Sequence, residues 1–337
     1  MEKKILSIVV PSYNAEKFLD RSIPSMLIED ILSDIEILIV DDGSKDNTGE
    51  IADLFEAKYP NTIKAVHKEN GGHGSTINTG ISIASGKYFC VLDADDWMDS
   101  EKFKELVFKL KKIDSDLVLF DFNYVSEDNK ILHHKKFKSF PVNKEFLLEN
   151  YITKIPVLAN NQWIGIHNYC IKTNILFDNQ VRLHEHHFYV DQEYILYSLC
   201  YVKTVTYLNI TVRNYLYGYN EQSSSVKSKQ KNYLQYKEVI EYLINFYKEK
   251  KSNLSLNYRK YYCRHIAWFN SGLYSTYLSF PYSSEVKNEL YKFDKSIKSN
   301  ALDVFKANRN IAILALRITK FSLFRFGAVL YKKIFVK

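Results

Sequence analysis

The chain has 337 residues, of which 46% are hydrophobic and 25% are charged, and its net charge is +7. These proportions are typical of a folded globular protein and exclude a disordered chain. The length exceeds what one hydrophobic core usually spans, so we expect one large domain with an appended part, or two domains. Four cysteines lie far apart, which favours reduced thiols over a disulfide framework or a zinc site: Cys90, Cys170, Cys200 and Cys263.

Residues 1–125 alternate between short β-rich apolar runs and amphipathic stretches. We predict strands at 5–10, 35–40, 63–66, 88–92 and 117–120, and helices at 15–32, 47–59, 75–84 and 100–112. This alternation predicts an α/β fold with a mostly parallel sheet flanked by helices. Ligands of such sheets bind beyond the carboxyl ends of the strands.

The pattern changes along the second half of the chain. A strand is expected at 163–171, a helix at 191–201 and a strand pair at 204–217. Beyond residue 222 the pattern becomes helical, at 233–248, 256–277, 283–298 and from 311. We therefore predict a domain at 1–222 followed by a helical region at 223–337.

The C-terminal segment 311–337 contains six basic residues and no acidic one, interleaved with aliphatic and aromatic residues. This pattern predicts a helix lying on an anionic membrane surface, and an ordinary packed helix is the alternative. No run of 18 uncharged apolar residues occurs, so no membrane-spanning segment is expected. The apolar run at 5–10 is too short for a signal peptide, which favours a cytoplasmic protein that binds the inner membrane face peripherally. Nucleic acid is not an expected partner, because the rest of the chain has no basic face.

Four predicted strands end in polar motifs: PSYN at 11–14, DDGS at 41–44, KENGG at 68–72 and DADD at 93–96. Asp93 and Asp95 follow a buried run and can reach one Mn²⁺ or Mg²⁺ ion, which would neutralise a diphosphate leaving group. A solvated turn is the alternative for this motif. Because PSYNAEKF has no glycine, a dinucleotide-binding loop is excluded, and binding through base stacking and a metal remains.

The motifs PSYN, VDDGS followed by Asp46, ENGG and LDADD occur in the order and spacing of inverting family 2 glycosyltransferases of the GT-A fold. The chain resembles this family, of the bacterial surface-polysaccharide type, over residues 5–220. The resemblance implies that a metal-assisted hexosyl- or N-acetylhexosaminyltransferase moves a sugar from a UDP-sugar to a saccharide or lipid-linked acceptor. It also implies a donor half at about 1–125 and an acceptor half at about 126–222.

The resemblance also implies roles for individual residues. The expected donor-binding residues are Pro11, Tyr13, Asn14, Asp42, Asn70, Gly71, Asn78, Asp93 and Asp95. Asp95 is expected to be the main metal ligand, with Asp93 as the second. Asp96 is expected to assist at the acceptor, where Trp163 and His167 would stack on sugar rings, although core packing is the alternative for both. The family's Ala-Arg-Asn run is replaced here by GHGSTIN at 72–78, so Asn78 and the helix start at Ser75 are expected to compensate for the missing arginine.

Inversion at a sugar carbon needs a base that accepts the proton of the attacking hydroxyl. By the resemblance this base is an acidic residue that opens a helix, and the best match is Asp191, with Glu193 as the fallback. The alternative role of Asp191 is to cap its helix. The run HEHH at 184–187 invites a zinc interpretation, but a loop bordering donor or acceptor is favoured. Residues 217–225 resemble the segment that closes over the diphosphate in relatives.

Two other functions stay open at this stage. A nucleotidyltransferase also uses paired carboxylates, but it would need a glycine-rich, basic phosphate loop that is missing near the N-terminus. A non-catalytic glycan- or membrane-binding protein of the same fold would keep the strand-end motifs and lack turnover.

Overall fold

The computed structural model describes residues 4–155, 163–218, 222–223 and 225–335. The chain forms two compact units, of which the first comprises Met1–Ile155 and Asn160–Tyr219 and the second Pro156–Ala159 and Asn220–Lys337. The first unit is α/β, and the second is helical. The domain boundary expected after residue 222 and the division into donor and acceptor halves stay predictions.

One sheet of ten strands forms the centre of the first unit within the described residues. The strands are β1 (Leu6–Ser12), β2 (Ile35–Asp41), β3 (Ile63–His67), β4 (Tyr88–Val91), β5 (Trp97–Met98), β6 (Leu117–Val125), β7 (Ile131–Lys135), β8 (Glu145–Leu147), β9 (Tyr169–Lys172) and β10 (Thr204–Leu216). Their order is β3-β2-β1-β4-β9-β6-β10-β5, with β7 beside β6 and β8 beside β10.

Most of these strands run in one direction. β3, β2, β1 and β4 pair in parallel, and so do β6 and β10. β9 is antiparallel to both of its neighbours, β4 and β6, so those two strands share one direction. Six of the ten strands, β1 to β4 with β6 and β10, are therefore parallel. The predicted α/β class with a mostly parallel sheet is confirmed.

Six helices accompany the sheet in the described part of the first unit. They are α1 (Glu16–Ser22), α2 (Thr48–Lys58), α3 (His73–Ile83), α4 (Ser100–Leu110), α5 (Thr173–Asp178) and α6 (Asp191–Leu199). Leu19 of α1 and Phe103 and Leu106 of α4 pack into the core with β1 and β2. The central strands are buried on both faces, which explains why their sequences are continuous apolar runs.

The helix predicted at 15–32 is wrong in its length. α1 ends at Ser22, and two single 3₁₀ turns follow at Pro24–Met26 and Glu29–Ile31. Pro24 has no N–H group, and its ring crowds the preceding turn, so the α-helix cannot continue through it. The amphipathic pattern survives because the 3₁₀ turns still bury Met26 and Ile31.

Two further predicted elements differ from the structure. The strand pair expected at 204–217 is the single long strand β10, whose pairing with β6 shifts register between Tyr207 and Arg213. Such bulges turn a strand without ending it, so the polar residues inside β10 do not mark a hairpin. The strand expected at 163–171 is confined to β9, and a 3₁₀ turn at Ile166–Asn168 precedes it.

The second unit is helical throughout its described residues. Its helices are α7 (Val226–Lys231), α8 (Tyr233–Lys250), α9 (Leu256–Ser279), α10 (Ser284–Asn300), α11 (Leu302–Ala307), α12 (Ile311–Ile318) and α13 (Phe324–Phe335). The 24-residue helix α9 packs against α8, α11 and α13 and forms the centre of this unit. Among the described residues, no helix is both long enough and apolar enough to cross a bilayer.

Candidate functional site

The end of β2 is joined to the loop after β3 by one carboxylate. Asp42 is buried, and its Oδ1 accepts hydrogen bonds from Lys68 Nζ (2.9 Å) and Gly71 N (2.9 Å), while Oδ2 accepts one from Gly72 N (2.7 Å). Asn70 Nδ2 donates to the Asp42 carbonyl oxygen at 2.9 Å. Three expected donor residues, Asp42, Asn70 and Gly71, thus lie together, and most of the Asp42 carboxylate is already used to hold this loop.

The end of β1 presents a tyrosine beside the segment that follows β2. Pro11 is buried within β1, whereas the side chain of Tyr13 is 50% exposed. Asn14 has a φ of 48°. Its N–H donates to Ser44 Oγ (3.0 Å), and its Oδ1 accepts from Lys45 N (2.9 Å). The chain segments after β1 and β2 are therefore tied together, and the ring of Tyr13 is accessible at the carboxyl edge of the sheet.

An acidic cluster follows β4, and an arginine from β10 binds it. Arg213 donates from Nε to Asp96 Oδ2 at 2.7 Å and from Nη1 to the Val91 carbonyl at 2.7 Å. Its Nη2 lies 3.0 Å from Asp93 Oδ2 and 2.6 Å from Asp96 Oδ2. Leu216 N donates to Asp96 Oδ1 at 2.9 Å, and the side chains of Arg213 and Asp96 are fully buried. Because Asp96 is covered in this way, its expected role at the acceptor gains no support from its position.

Asp93 is also flanked by two histidines. His73, the first residue of α3, brings Nε2 to 3.1 Å from Asp93 Oδ1, and His167 Nδ1 lies 3.3 Å from Asp93 Oδ2. Burial acts to raise the pKa of Asp93, but the contacts with His167 and His73 and the charge of Arg213 outweigh it. The pKa of Asp93 is therefore held well below its usual range, and the carboxylate stays ionised.

Asp95 lies in the turn between β4 and β5 and is partly buried. Arg21 Nη2 donates to the Asp95 carbonyl oxygen at 3.0 Å. The guanidinium of Arg21 stacks on the Trp97 ring, 3.8 Å from its centroid. The backbone of the DADD motif is therefore fixed from the side of α1.

The cluster contains donor atoms that suit a divalent cation. Ligand atoms of Asp93, Asp96 and His167 lie within 4.8 Å of one another, and carboxylate oxygens are the donors that Mn²⁺ and Mg²⁺ prefer. However, Arg213 Nη2 contacts both carboxylates of this trio. A divalent ion about 4 Å from the guanidinium would be repelled by about 8 kcal/mol at an effective dielectric constant of about 20. A cation therefore does not fit the centre of the trio, and the Asp93 oxygen on the other side, Oδ1, faces His73 Nε2 at 3.1 Å.

Asp191, the expected base, opens α6 and belongs to the same electrostatic environment. Its Oδ2 accepts a hydrogen bond from Gln192 Nε2 at 2.7 Å. Burial raises the pKa of the Asp191 carboxyl and Asp93 adds to this effect, while the Gln192 bond and the charge of His73 oppose it. A carboxylate with a raised pKa is a stronger base than a free aspartate.

Glu193, the fallback base, is fully buried and engaged elsewhere. Its Oε2 accepts from the backbone N–H of His184 at 2.9 Å, and its Oε1 lies 2.9 Å from Nδ1 of the same histidine. Both carboxylate oxygens thus bind the 183–187 loop. Between the two acids, the position of Asp191 favours it as the base.

The 183–187 loop covers the start of α3. Asn78 donates from Nδ2 to the Leu183 carbonyl (2.9 Å) and accepts from Leu183 N at Oδ1 (2.9 Å). His186 N donates to the Gly71 carbonyl oxygen. A Cβ added at Gly74 would lie 2.3 Å from the His184 carbonyl oxygen, so only glycine permits this approach. The amide of Asn78, expected to bind donor, therefore holds this loop in place.

Aromatic rings extend from the acidic cluster along β6 and β10. The ring of His167 stacks on Tyr215, with centroids 4.3 Å apart. Tyr124 contacts Tyr215 and Tyr217 edge to face, at 5.5 and 5.3 Å between centroids. The side chain of Tyr217 is 42% exposed, so this row leads from Asp93 to the surface. We call His167, Tyr215, Tyr124 and Tyr217 the aromatic row.

Trp163 is held by a buried lysine. Lys135 is 0% exposed, donates to the Trp163 carbonyl oxygen, and lies 4.1 Å from the centroid of the Trp163 ring. Burial lowers the pKa of Lys135 well below its usual range. Trp163 is partly buried, so part of its ring is packed and part is open.

Sequence reasoning missed several residues of this site. Arg213 gave no signal, because an arginine within an apolar strand pattern reads as a surface residue, and its partners are 117 and 120 residues away. Lys68, which binds Asp42, stood next to the ENGG motif and was not singled out. His73 had a signal, because it opens the segment in which the family's arginine is missing. Within the segment 217–225, residues 219–221 and 224 lie outside the described residues.

Comparison with known proteins gives a family and a fold. Residues 7–175 match the model described as glycosyl transferase family 2. The uncharacterized glycosyltransferase EpsJ of Bacillus subtilis (strain 168) is 40% identical over 126 residues, which are 37% of this chain and 36% of EpsJ. The glycosyltransferase GlyG of Streptococcus pneumoniae serotype 4 is 34% identical over 143 residues, 42% of this chain and 47% of GlyG. The chain thus covers less than half the length of either relative.

A solved structure shares the fold over nearly the whole chain. The crystal structure of S. aureus TarS 1-349 in complex with UDP-GlcNAc matches with a TM-score of 0.62 and 18% sequence identity. The match covers 97% of this chain and 89% of TarS 1-349. At this identity the likeness is one of fold, and it confirms the expected GT-A-like class.

Proposed function

The chain belongs to glycosyl transferase family 2, and from this premise we propose that it is an inverting enzyme that transfers a hexose or N-acetylhexosamine. The donor is a UDP-sugar, and the acceptor is a saccharide or a lipid-linked saccharide in surface-glycan synthesis. The observation that carries the proposal is the meeting of Asp93, His73 and Asp191 beyond the strand ends, where such sheets bind ligands. The binding of UDP-GlcNAc by TarS, which has this fold, supports a UDP-sugar as donor.

The nucleotide binds at the ends of β1 and β2. The exposed ring of Tyr13 stacks on the uracil, and the buried ring of Pro11 shapes the floor beneath it. Asp42 accepts the uracil N–H with the lone pair that the 68–72 loop leaves over. Asn14, Asn70 and Gly71 border this pocket through their contacts with the same loops.

The diphosphate binds beside the acidic cluster. Asp95, with Asp93 beside it in the motif, would hold Mn²⁺ or Mg²⁺, which when bound would neutralise the charge that develops on the UDP leaving group. His73 stands at the start of α3, where backbone N–H groups favour an anion. Burial acts to lower the pKa of His73, but the hydrogen bond and charge of Asp93 outweigh it and raise that pKa. His73 is therefore more readily protonated than a free histidine, in the segment that lacks the family's arginine.

Asp191 takes the proton of the acceptor hydroxyl. The hydroxyl oxygen attacks the anomeric carbon from the face opposite the diphosphate, its proton passes to Asp191, and the bond to the UDP oxygen breaks. The raised pKa of Asp191 makes it a better proton acceptor, and the Gln192 bond orients its carboxylate. The acceptor ring lies against the aromatic row and Trp163, because sugar rings present C–H faces to aromatic side chains.

The second unit provides a surface for an anionic membrane. Exposed apolar side chains recur at helical spacing on α12 and α13: Ile311, Leu314, Ile318, Phe326, Val329, Leu330 and Ile334. Arg325, Lys332 and Lys333 accompany them on α13, and residues 311–337 contain no acidic residue. Each basic residue near an anionic surface contributes about 1 kcal/mol. We assign this face to the cytoplasmic membrane surface, where a lipid-linked acceptor would be found.

A screen of UDP-sugars tests the enzyme proposal. The purified chain is incubated with a set of UDP-hexoses and UDP-N-acetylhexosamines with Mn²⁺ or Mg²⁺, and released UDP is measured, with Asp95→Asn as the control. We expect release from at least one donor and none above background from Asp95→Asn. The absence of release from every UDP-sugar with both metals would contradict the donor assignment.

A further inference from the structure

His67, the last residue of β3, lies between two carboxylates. Its Nδ1 is 3.1 Å from Asp41 Oδ2 at the end of β2, and its Nε2 is 3.0 Å from Asp53 Oδ1 on α2. A neutral imidazole has one N–H group and one lone pair, so it can donate to only one of these carboxylates. Both contacts are favourable together only when the ring is protonated and carries two N–H groups.

The acids that face this ring come from both elements packed against β3, because Asp41 ends β2 and Asp53 lies on α2. Two other charged side chains nearby are bound elsewhere. Glu56 of α2 accepts from the β3 backbone, and Lys68 binds the carboxylate that follows β2. The charge of the His67 ring is therefore set by its two aspartate partners.

The two contacts depend on pH. Hydrogen bonds to Asp53 and to Asp41 raise the pKa of His67, and burial opposes them with a smaller effect. The side chain is 47% exposed, so the ring exchanges protons directly with solvent. Because the pKa is raised in the folded protein, both contacts are complete below about pH 6.5 and are lost as pH rises through the higher folded-state value.

Asp41 connects His67 to the segment after β1. The Asp41 side chain is 9% exposed, and its Oδ1 accepts from Ser44 N at 3.0 Å, so Oδ2 is the oxygen that serves the histidine. Ser44 Oγ in turn accepts from Asn14 N at 3.0 Å, and Asn14 follows Tyr13. Loss of the His67 contact therefore weakens the support of the turn that holds the backbone beside Tyr13.

We propose that His67 is a positioning residue of the donor site: its protonated ring holds the turn at 41–44 through Asp41, and uridine binding weakens when the ring loses its proton. This inference rests on the proposed function, because it concerns the pocket assigned to uracil at Tyr13 and Asp42. His67 acts through Asp41, so a contact between its ring and the nucleotide is not required.

Three variants separate this role from a merely structural one. His67→Gln removes the titrating ring and keeps a polar amide. Asp53→Asn keeps the ring and removes one of the two charges that favour its protonated form, at an exposed position on α2. The matched control is His134→Gln, which changes an exposed histidine of β7 whose Nδ1 lies 2.7 Å from Asn123 Oδ1. Circular dichroism and thermal unfolding establish that each variant is folded.

The readout is the affinity for uridine between pH 6 and pH 8.5, followed by nuclear magnetic resonance, because uridine lacks the phosphate that titrates in UDP. We expect affinity to fall with rising pH by about fivefold or more in the parent and in His134→Gln, and by less than about twofold in His67→Gln. Asp53→Asn should move the midpoint of the fall to lower pH. The same profile in His67→Gln as in the parent, or an unchanged midpoint in Asp53→Asn, would overturn the proposal.

A measurement without ligand decides the question if uridine binds too weakly to be titrated. The Ser44 amide is bound by Asp41. After correction for the intrinsic pH dependence of exchange, its protection against hydrogen exchange should fall by about fivefold or more in the parent and stay constant in His67→Gln. Equal protection profiles in the two proteins would overturn the proposal. A parent chain that binds neither uridine nor UDP at any pH would instead refute the proposed donor site itself.

Discussion

Replacing Asn78 with alanine should release the 183–187 loop from α3. The Asn78 side chain is buried, and its two hydrogen bonds to the backbone of Leu183 are both 2.9 Å long. Alanine removes the donor and the acceptor together and leaves the Leu183 N–H and carbonyl without these partners. The loop then loses its main side-chain attachment to the helix that precedes Asp93.

The magnitude follows from these two bonds. Each hydrogen bond contributes about 1 kcal/mol net, and each buried backbone group left unsatisfied costs about 1–3 kcal/mol. We therefore expect the free energy of opening at Leu183 to fall by about 3 kcal/mol. Since about 1.4 kcal/mol corresponds to a factor of ten, the protection of the Leu183 amide against hydrogen exchange should drop about a hundredfold.

The assay is native-state amide exchange of Leu183, measured for the parent, for Asn78→Ala and for a control. Asn179 is exposed and makes one comparable bond, from Nδ2 to the Ile175 carbonyl oxygen at 2.9 Å. Asn179→Ala should lower stability by less than about 1 kcal/mol and leave Leu183 protected. Exchange at Leu183 that is no faster in Asn78→Ala than in Asn179→Ala would refute this account of the loop.

Three further outcomes are expected. Gly74→Ala places a Cβ 2.3 Å from the His184 carbonyl oxygen, so it should displace the 183–187 loop and weaken UDP binding. Titration calorimetry measures this affinity, and an unchanged affinity for UDP would contradict the close packing. Burial lowers the pKa of His265 from 6.5 to about 4, so its stabilising effect is present above pH 6.5 and is lost as pH falls towards 4. In urea unfolding, the free energy of unfolding of the parent should fall by about 3 kcal/mol between pH 6.5 and pH 4, and His265→Phe should lack this loss. Equal losses in both proteins would exclude His265 as the cause. Phe326→Glu should reduce co-sedimentation of the protein with anionic phospholipid vesicles. Leu256→Glu changes an exposed residue outside α12 and α13 and should not reduce it. Equal vesicle binding by the two variants would argue against the membrane face.

The sheet was predictable because its strands are continuous apolar runs that end in turn-forming or acidic residues. Because these runs form parallel strands, the motifs that follow them meet at one edge of the sheet. The proximity of Asp42, Asn70 and Gly71 was therefore predictable from the order of the strands along the chain. The helix at 15–32 was overextended because its amphipathic pattern outweighed Pro24, although the proline was visible in the sequence.

Other features depend on contacts between distant parts of the chain. Arg213 meets Asp93 and Asp96 because β10 pairs with β5, the short strand that follows the acidic turn, and a single sequence holds no record of that pairing. The bulge in β10 could not be predicted from the sequence either, because no glycine or proline lies where the register of the strand shifts. The use of the Asn78 amide for the Leu183 backbone could not be read from the sequence, because the loop it binds is 105 residues away.

The role of Asp191 is the most direct test of the central claim, that this edge of the sheet catalyses sugar transfer from UDP. UDP release is measured for the parent and for Asp191→Asn with the best donor from the screen, and UDP affinity is measured for both. The account predicts that Asp191→Asn lowers turnover by about 10²- to 10⁴-fold, as expected for loss of a general base, while UDP affinity changes little. An Asp191→Asn protein that transfers sugar at the rate of the parent would contradict it.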